Sequence, residues 1–449
     1  MRTGKLLNAW EPFVLFLGDV LVLYFSLWAT LFLRRWEIPD SGVFESHIQP
    51  FTILFALWIL VFFIAGLYDK HTTFLKKRIP SIILNAQLVN SGLAILFFYL
   101  IPYFGITPKT TLFIFLIVSL VGIVYWRRYS LMLFDSPDRQ SALLIGSGEE
   151  MEELQREVNG NPRYGIFFVS SLNLNDVSET DFQKEIIERV YAEHVTTVVV
   201  DTKHENIVQI LPKLYNLIFS GVRFVDMHKV YEDIFDRVPL SLVNYDWFLE
   251  NISASSRIVY DFLKRAMDII IAFVLGVISL LVYPFVMFAI RNDDGGPAFI
   301  VQERIGRGNK TIRLYKFRSM KSSDSGVWPT PGDKRVTRVG AFIRKTRIDE
   351  LPQLWNVVRG DLSLIGPRPD IIDLGRTLAK EIPYYMVRNL IAPGLSGWAQ
   401  IKQDAPPHSI EATRLRLSYD LYYIKNRSLI LDLKIALKTI WTLLSRTGK

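Results

Sequence analysis

Four long apolar runs open the chain, at residues 12–33, 51–67, 82–101 and 111–126. Each approaches the roughly 20 residues that a helix needs to cross about 30 Å of hydrocarbon, so the pattern predicts four transmembrane helices within residues 1–130. The first comes after Arg2 and Lys5 as a signal peptide would, but it is long, lacks a small-x-small cleavage site and is succeeded by further spans. It is therefore expected to be retained. Arg2, Lys5, Lys70, Lys76, Lys77, Arg78, Arg127 and Arg128 flank one side, against Lys109 and the pair Arg34 and Arg35, which have Glu37, Asp40 and Glu45 beside them. That bias places the N-terminus and everything after Trp126 in the cytoplasm.

From Ser141 the pattern changes. Aliphatic or β-branched runs at 142–145, 166–172, 197–200 and 222–225 alternate with polar helical stretches such as 149–158, which predicts an α/β, Rossmann-like module over residues 138–255. Gly146-Ser147-Gly148 comes after the first run, but Met151 stands where a dinucleotide fingerprint would carry its third glycine. A tight strand-to-helix turn explains the pair better than nucleotide binding does. Asp201, after the third run, likewise reads better as a loop carboxylate than as a ligand contact.

A fifth apolar stretch, residues 266–290, is interrupted by Pro284, and Arg291, Arg304 and Arg307 lie just beyond it. Proline removes a backbone donor and kinks a helix, and the arginines oppose translocation of the C-terminal half. The expectation is a re-entrant helix over 264–291, broken at Pro284, with a kinked spanning helix as the alternative; it opens a mainly α-helical part spanning 257–449. Near the end, residues 429–444 carry Asp432, Lys434, Lys438 and Thr442 on a broad apolar background. Packing in the core and lying in the membrane interface are both open for that helix.

Composition narrows the chemistry. Half of the 449 residues are hydrophobic, and no cysteine occurs, which excludes disulfides, thiolate catalysis and cysteine metal sites. The six histidines show no metal-ligand spacing, so any metal must be held by oxygen. The net charge of +8 divides unevenly: residues 257–449 hold 31 Lys and Arg against 17 Asp and Glu, while residues 1–256 hold 21 against 27. A basic half suits anionic lipid or phosphorylated substrates. Nucleic acid is not expected, because no helix-turn-helix, zinc-finger or RNA-binding signature accompanies the charge.

The candidate chemistry lies between Phe299 and Lys402. Asp349 and Glu350 stand side by side in Thr346-Arg347-Ile348-Asp349-Glu350-Leu351-Pro352-Gln353. Alone, such a pair would read as a solvated helix start before Pro352. Around it, however, stand Lys316 and Arg318, then Arg344 and Arg347, then Arg368 in Gly366-Pro367-Arg368-Pro369. Phosphoryl transfer needs this combination, since cations and a metal offset charge on phosphate oxygens while a carboxylate acts at phosphorus. Magnesium fits such a site.

The blocks KRAMDIIIAF, VQERIGRGNKTIRLYKFRSM, RKTRIDELPQLWNVVRGDLSLIGPRP, APGLSGWAQI and YDLYYIKNRSLILDLKIALKTI resemble the bacterial sugar transferase family, the monotopic polyprenyl phosphate sugar-1-phosphate transferases. They extend from about Arg265 to Lys449, and the whole layout resembles the family's large form: a helical membrane bundle, a Rossmann-like module and a catalytic part with a re-entrant helix. The resemblance implies transfer of a sugar 1-phosphate from a nucleotide-sugar, expected to be a UDP-hexose, to undecaprenyl phosphate at the bacterial inner membrane, with the catalytic part on the cytoplasmic face. This would be the first membrane step of capsule, O-antigen, exopolysaccharide or other glycoconjugate assembly. It also implies a covalent phosphosugar on Asp349, magnesium held by Glu350 with Asp349, and phosphates held by Lys316, Arg344 and Arg368, beside Arg318. The family breaks its re-entrant helix at Ser-Pro. Here the pair is Tyr283-Pro284, so the serine contribution is missing.

Two other readings compete. A membrane-anchored nucleotide-sugar dehydratase or epimerase would want a full glycine fingerprint and a Tyr-x-x-x-Lys pair inside the module. Tyr260 and Lys264 have that spacing but stand at the entry to the membrane segment, so the match is read as chance. A non-catalytic scaffold for polysaccharide assembly would have lost the acidic pair or its cations, and all are present. The module itself is expected to be regulatory or a surface for homo-oligomers.

Overall fold

A computed structural model describes residues 11–65, 67–68, 79–100, 109–134, 139–161, 164–175, 179–207, 221–253, 258–321, 335–403 and 405–445. Arg2, Lys5, Lys70, Lys76, Lys77 and Arg78, which bear on the orientation, lie outside them. The chain forms two compact units, Met1–Met227 and His228–Lys449.

The first unit opens with α1 (Glu11–Arg35), α2 (Ser41–Ile64), α3 (Ile79–Leu100) and α4 (Lys109–Phe134). All four are long and apolar enough to cross a membrane, and the chain is a membrane protein. Aromatic rings fill the bundle: Phe51, Phe55, Trp58 and Phe115 are buried together, with Trp58 and Phe115 centroids 5.1 Å apart. Two ends differ from the apolar runs. α2 starts ten residues early because Asp40 caps it, its carboxylate accepting the Ser41 N–H at 2.9 Å, and the helix continues through Pro50. α4 runs on past Trp126 because Arg127 is buried, where it pairs with Asp19 and donates to the Leu67 carbonyl at 2.8 Å. Tyr68 donates to the same Asp19 carboxylate at 2.7 Å. Arg127 is thus balanced inside the bundle, and of the two arginines after Trp126 only Arg128 is exposed.

The same unit contains β1 (Gln140–Gly146), α5 (Gly148–Gly160), β2 (Ile166–Asn173), α6 (Glu179–Ala192), β3 (Thr197–Val200) and β4 (Arg223–Asp226). The strands form a four-stranded parallel sheet in the order β2-β1-β3-β4. β1 from Ala142 onward and all of β3 are buried and mostly aliphatic, as strands covered on both faces of a sheet are. At the end of β1 the chain turns through Gly148, whose φ of 78° favours glycine. A side chain at Gly146 would come within 2.5 Å of the Met227 sulfur and 3.6 Å of the Met151 Cβ, so the end of β1 packs closely on Met227. Asp201 accepts the Lys203 N–H at 3.0 Å, as a loop carboxylate does.

In the second unit, α7 (Met227–Phe235) leads into a strap over residues 236–253. Its Val238, Val243 and Trp247 are buried with Leu378, Ile382, Tyr385, Leu417, Leu421 and Ile424. Asp236 fastens it: its carbonyl accepts the Trp398 indole N–H at 2.9 Å, and its carboxylate accepts Lys402 at 2.9 Å and the Tyr422 hydroxyl at 3.3 Å.

Two apolar helices come next, α8 (Ile258–Ser279) and α9 (Tyr283–Asp294), bent by 58°. The break falls at residues 280–282, ahead of Pro284, which sits in the first turn of α9 where its missing N–H leaves no bond unmade. A serine does stand at the break: the Ser279 hydroxyl donates to the Gly276 carbonyl at 2.7 Å, in the turn where α8 ends. Polar side chains at the start of α8 tie it to the rest of the unit. Arg265 donates to the Val357 and Val358 carbonyls at 2.7 and 2.8 Å, capping the C-terminus of the helix Gln353–Arg359. Asp268 accepts the Ser363 hydroxyl at 2.7 Å and the Leu364 N–H at 3.2 Å. Tyr260 and Lys264 both donate to Asp432, at 2.8 and 3.1 Å, so the Tyr-x-x-x-Lys spacing serves an anchor.

The remainder comprises an antiparallel hairpin, β5 (Phe299–Ile305) and β6 (Thr311–Phe317), then α10 (Arg338–Lys345), α11 (Gln353–Arg359), β7 (Ser363–Ile365), α12 (Ile372–Glu381), β8 (Gly394–Ser396), α13 (Ile410–Asn426) and α14 (Leu429–Ser445). α14 buries Asp432 and Ile435 and exposes Ile430, Leu433 and Ile440.

The strap makes residues 228–253 part of this unit's core. A chain starting at His228 should therefore keep a cooperative thermal transition in detergent. A chain starting at residue 255 loses three buried side chains worth on the order of 2–4 kcal/mol each. It should melt at least about 10 °C lower or fail to fold, as read by circular dichroism. Equal midpoints would show that the strap is dispensable to the core.

Candidate functional site

The site is assembled from three segments. The hairpin carries Lys316 near the end of β6, opposite Ile300. The second segment begins with α10, which Thr337 caps by accepting the Gly340 N–H at 2.9 Å. After α10 the chain reverses at Arg347, a non-glycine residue in the left-handed region with φ 58°. Such a backbone costs on the order of 1–3 kcal/mol and persists only where the surroundings enforce it. It folds Ile348-Asp349-Glu350 into a single 3-10 turn ahead of Pro352 and α11. In this turn Asp349 is only 8% exposed, so the pair is no solvated helix start.

The third segment is the Gly366-Pro367-Arg368-Pro369 loop. β7 and β8 pair in parallel, and beyond them the Gly366 N–H donates to the Ser396 carbonyl at 2.8 Å and the Gly394 N–H to the Pro367 carbonyl at 2.9 Å. A side chain at Gly394 would lie 2.1 Å from the Gly366 nitrogen, so only glycine allows this backbone contact. The loop delivers Arg368, whose Nη2 donates to Glu350 Oε1 at 2.9 Å. Arg347 Nη1 approaches the same oxygen at 3.5 Å and Lys316 Nζ at 4.0 Å. Asp349 differs: its Oδ1 is buried and accepts no hydrogen bond among the described residues.

The electrostatics separate the two carboxylates. Burial and the Glu350 charge push the Asp349 carboxyl up to about 6, against the pull of Lys316, Arg347 and Arg344. Burial also works against ionised Glu350, but Arg368, Lys316 and Arg347 outweigh it and hold that carboxyl down at about 2. Burial draws the Lys316 ammonium down to about 8, with Arg368 and Arg304 adding to the effect and Glu350 opposing it. Arg368 is raised, chiefly by Glu350. Near neutral pH the turn therefore presents a fixed carboxylate ringed by cations beside a second, desolvated carboxylate with an uncommitted oxygen. Such an oxygen can attack an electrophile or take a metal, and the cations can hold phosphate.

Of the residues that the sequence singles out, Lys316, Arg344, Asp349, Glu350 and Arg368 meet here. Arg318 lies with its guanidinium against Gly296, so close that a side chain there would overlap it. Arg304, on β5, enters through its effect on Lys316 and carries no mark in the sequence. As to a metal, no group of three or more His, Asp or Glu side chains able to hold one occurs among the described residues. The two carboxylates with the open Asp349 oxygen fit a hard cation that keeps several waters and shares substrate phosphates.

A model of the family described as bacterial sugar transferase matches residues 259–446, the stretch that contains all three segments. The chain is 46% identical over 197 residues to a UDP-N-acetylgalactosamine-undecaprenyl-phosphate N-acetylgalactosaminephosphotransferase of Aeromonas hydrophila, covering 42% of this chain and 45% of that protein. It is 38% identical over 186 residues to the UDP-glucose:undecaprenyl-phosphate glucose-1-phosphate transferase of Escherichia coli K12, covering 40% of this chain and 39% of that protein. The Caulobacter vibrioides protein of the same name is 38% identical over 193 residues, 42% of this chain and 72% of its own length. The chain thus spans less than half of the first two relatives and most of the third. By that match the chain belongs to the bacterial sugar transferase family.

Proposed function

We propose that this protein transfers a sugar 1-phosphate from a UDP-sugar to undecaprenyl phosphate, the substrate classes named in its relatives. The observation that carries the reading is the buried, unpartnered Oδ1 of Asp349 beside a Glu350 fixed by cations. In the first step an Asp349 oxygen attacks the phosphorus attached to the sugar. The O–P bond to Asp349 forms, the bond to the bridging oxygen of the diphosphate breaks, and UMP leaves. In the second step a phosphate oxygen of the lipid attacks the same phosphorus. The Asp349–phosphate bond breaks, and a lipid diphosphate sugar leaves with the carboxylate restored. Lys316, Arg344 and Arg368 hold the phosphates. Magnesium, held by Glu350 and Asp349, would supply further charge neutralisation of the diphosphate.

The bent helix pair suits a lipid acceptor. Arg265, Lys264 and Asp268 are bound inside the polar unit at one end of the pair, and Arg291 lies in the last turn at the other. Between them the surface is apolar, with Phe273, Leu281 and Phe285 exposed. We read the pair as re-entrant, with both ends cytoplasmic, in the bacterial inner membrane. The parallel sheet we read as a Rossmann-like module without nucleotide, since Met151 stands in place of the third glycine of the fingerprint.

Asp349→Asn should abolish UMP release by at least about 1,000-fold, because an amide is a poor nucleophile. Glu350→Gln should retain measurable release with a raised magnesium requirement. With labelled UDP-sugar and no lipid acceptor, wild-type protein should release up to one equivalent of UMP and carry label on Asp349. Label on the Asp349→Asn chain, or UMP release that requires both substrates, would sink the two-step scheme.

Asp349 must be ionised to attack and Lys316 must be charged to hold phosphate. The rate should therefore fall as pH drops through about 6 and again as it rises through about 8. Lys316→Arg should push the alkaline limb upward, since guanidinium keeps its proton. A flat profile between pH 5 and 9 (about one unit beyond each limb) would contradict these assignments.

The chain has no cysteine, so single cysteines report topology cleanly. Asp261→Cys and Asn292→Cys, at exposed positions flanking the bent pair, should react with an impermeant thiol reagent from the same side of the membrane. Labelling from opposite sides would make the pair a crossing.

A further inference from the structure

Behind Arg368 lies a group of charged side chains that the proposed reaction does not use. Arg388 is 1% exposed, and it pairs with Asp370 and with Asp420 at 2.8 Å. Arg416 pairs with Asp370 at 3.1 Å and reaches toward Asp420 at 3.9 Å. The Tyr385 hydroxyl donates to Asp370 at 2.8 Å. Burying two arginines and two aspartates carries a heavy desolvation cost, and hydrophobic residues of the same volume would often serve stability as well. Stability alone therefore does not account for the arrangement.

Its geometry has a single target. Arg388 Nη2 donates to the backbone carbonyl of Arg368 at 2.9 Å, and Arg416 Nη2 donates to the same oxygen at 2.7 Å. Both acceptor positions of that carbonyl are thus taken by guanidinium groups, which are themselves fixed by carboxylates. Arg368 lies between Pro367 and Pro369, so its backbone has few alternatives once the carbonyl is held. The only free part is the side chain, which ends on Glu350 at 2.9 Å. On the far side, the elements bearing this group are gripped by the strap. The Val238 N–H donates to the Ser418 carbonyl at 3.1 Å, between Arg416 and Asp420 in sequence. Phe248 and Tyr245 place their rings 5.3 and 5.6 Å from that of Tyr384, next to Tyr385.

We propose that Asp370, Arg388, Arg416 and Asp420 are positioning residues that hold the Arg368 backbone so that its guanidinium meets Glu350 and the substrate phosphate. The strap over residues 236–253, which precedes the family-matched segment 259–446, buttresses them. The proposal rests on the carboxylate site being the transferase site.

A double-mutant cycle tests it. Arg416→Gln should lower the rate of UMP release about 10- to 100-fold in the wild-type background, the loss expected from a misplacement on the order of 1 Å. In the Arg368→Ala background the same change should cost less than about twofold, because the residue it acts through is gone. A merely structural role would give the same fractional loss in both backgrounds, and that result overturns the proposal, as does full activity of Arg416→Gln. Should Arg416→Gln not fold, Arg416→Lys keeps the charge, loses the fork, and is read against the same criteria. A second readout needs no turnover. Arg368 is 36% exposed, and its modification by phenylglyoxal, measured by mass spectrometry, should accelerate in the Arg416 variant. Faster modification with no UMP release from wild-type protein would sink the reaction and keep the positioning. UMP release with unchanged modification would sink the positioning alone.

Discussion

Removing two adjacent carboxylates from water is costly unless cations meet them, and the second unit is built around satisfying that condition at Asp349 and Glu350. Glu350 is met from three directions: by Lys316 from a hairpin strand, by Arg347 from its own turn and by Arg368 from the loop after β7. These segments are brought together by a left-handed arginine, an antiparallel ladder and a glycine-to-glycine backbone contact. With Glu350 satisfied, Asp349 bears the remaining imbalance. Its oxygen is desolvated, and the neighbouring negative charge raises its affinity for an electrophile or a proton. A carboxylate in that condition is poised to react.

The same turn is tied to the bent pair of apolar helices. α8 is anchored by Arg265 on the last carbonyls of α11, the helix just after the acidic turn, while Trp355 of α11 lies against Gly276 of α8. The placement of α8 and that of the acidic turn are therefore set by the same contacts. The apolar surface of α8 and the carboxylates thus keep a fixed separation. Tyr260, Lys264 and Asp432 repeat the device by joining the start of α8 to α14.

The first unit handles buried polarity differently. Asp19 and Arg127 pair between α1 and α4, with Tyr68 donating to the same carboxylate oxygen. In hydrocarbon such a pair ties helices together, since either ion alone would be expensive. In the parallel sheet, the end of β1 packs on a methionine instead, since a side chain at Gly146 would lie 2.5 Å from the Met227 sulfur.

Local pattern was enough for the elements whose cause is local. The four apolar runs, the alternation that became a parallel sheet, and the broken apolar stretch before the acidic pair all come from periodicity and length, because burial in lipid or between layers demands those patterns wherever they occur. The residue types of the site were equally legible, since Asp349, Glu350, Lys316, Arg344 and Arg368 stand in short dense blocks. Tertiary structure decided which charges face one another. Arg127 reads as an interfacial charge until Asp19, 108 residues away, is brought beside it. Arg318 stands in the dense block and Arg304 among the charges after the broken apolar stretch, yet Arg318 packs on Gly296 while Arg304 bears on Lys316. The strap looked like an extension of the sheet because the partners of Val238 and Trp247 lie more than 100 residues on. Hydrophobic and charged contacts have no period when their partners come from distant segments, so the chain wrote down which groups would react and left to folding which neighbours would hold them.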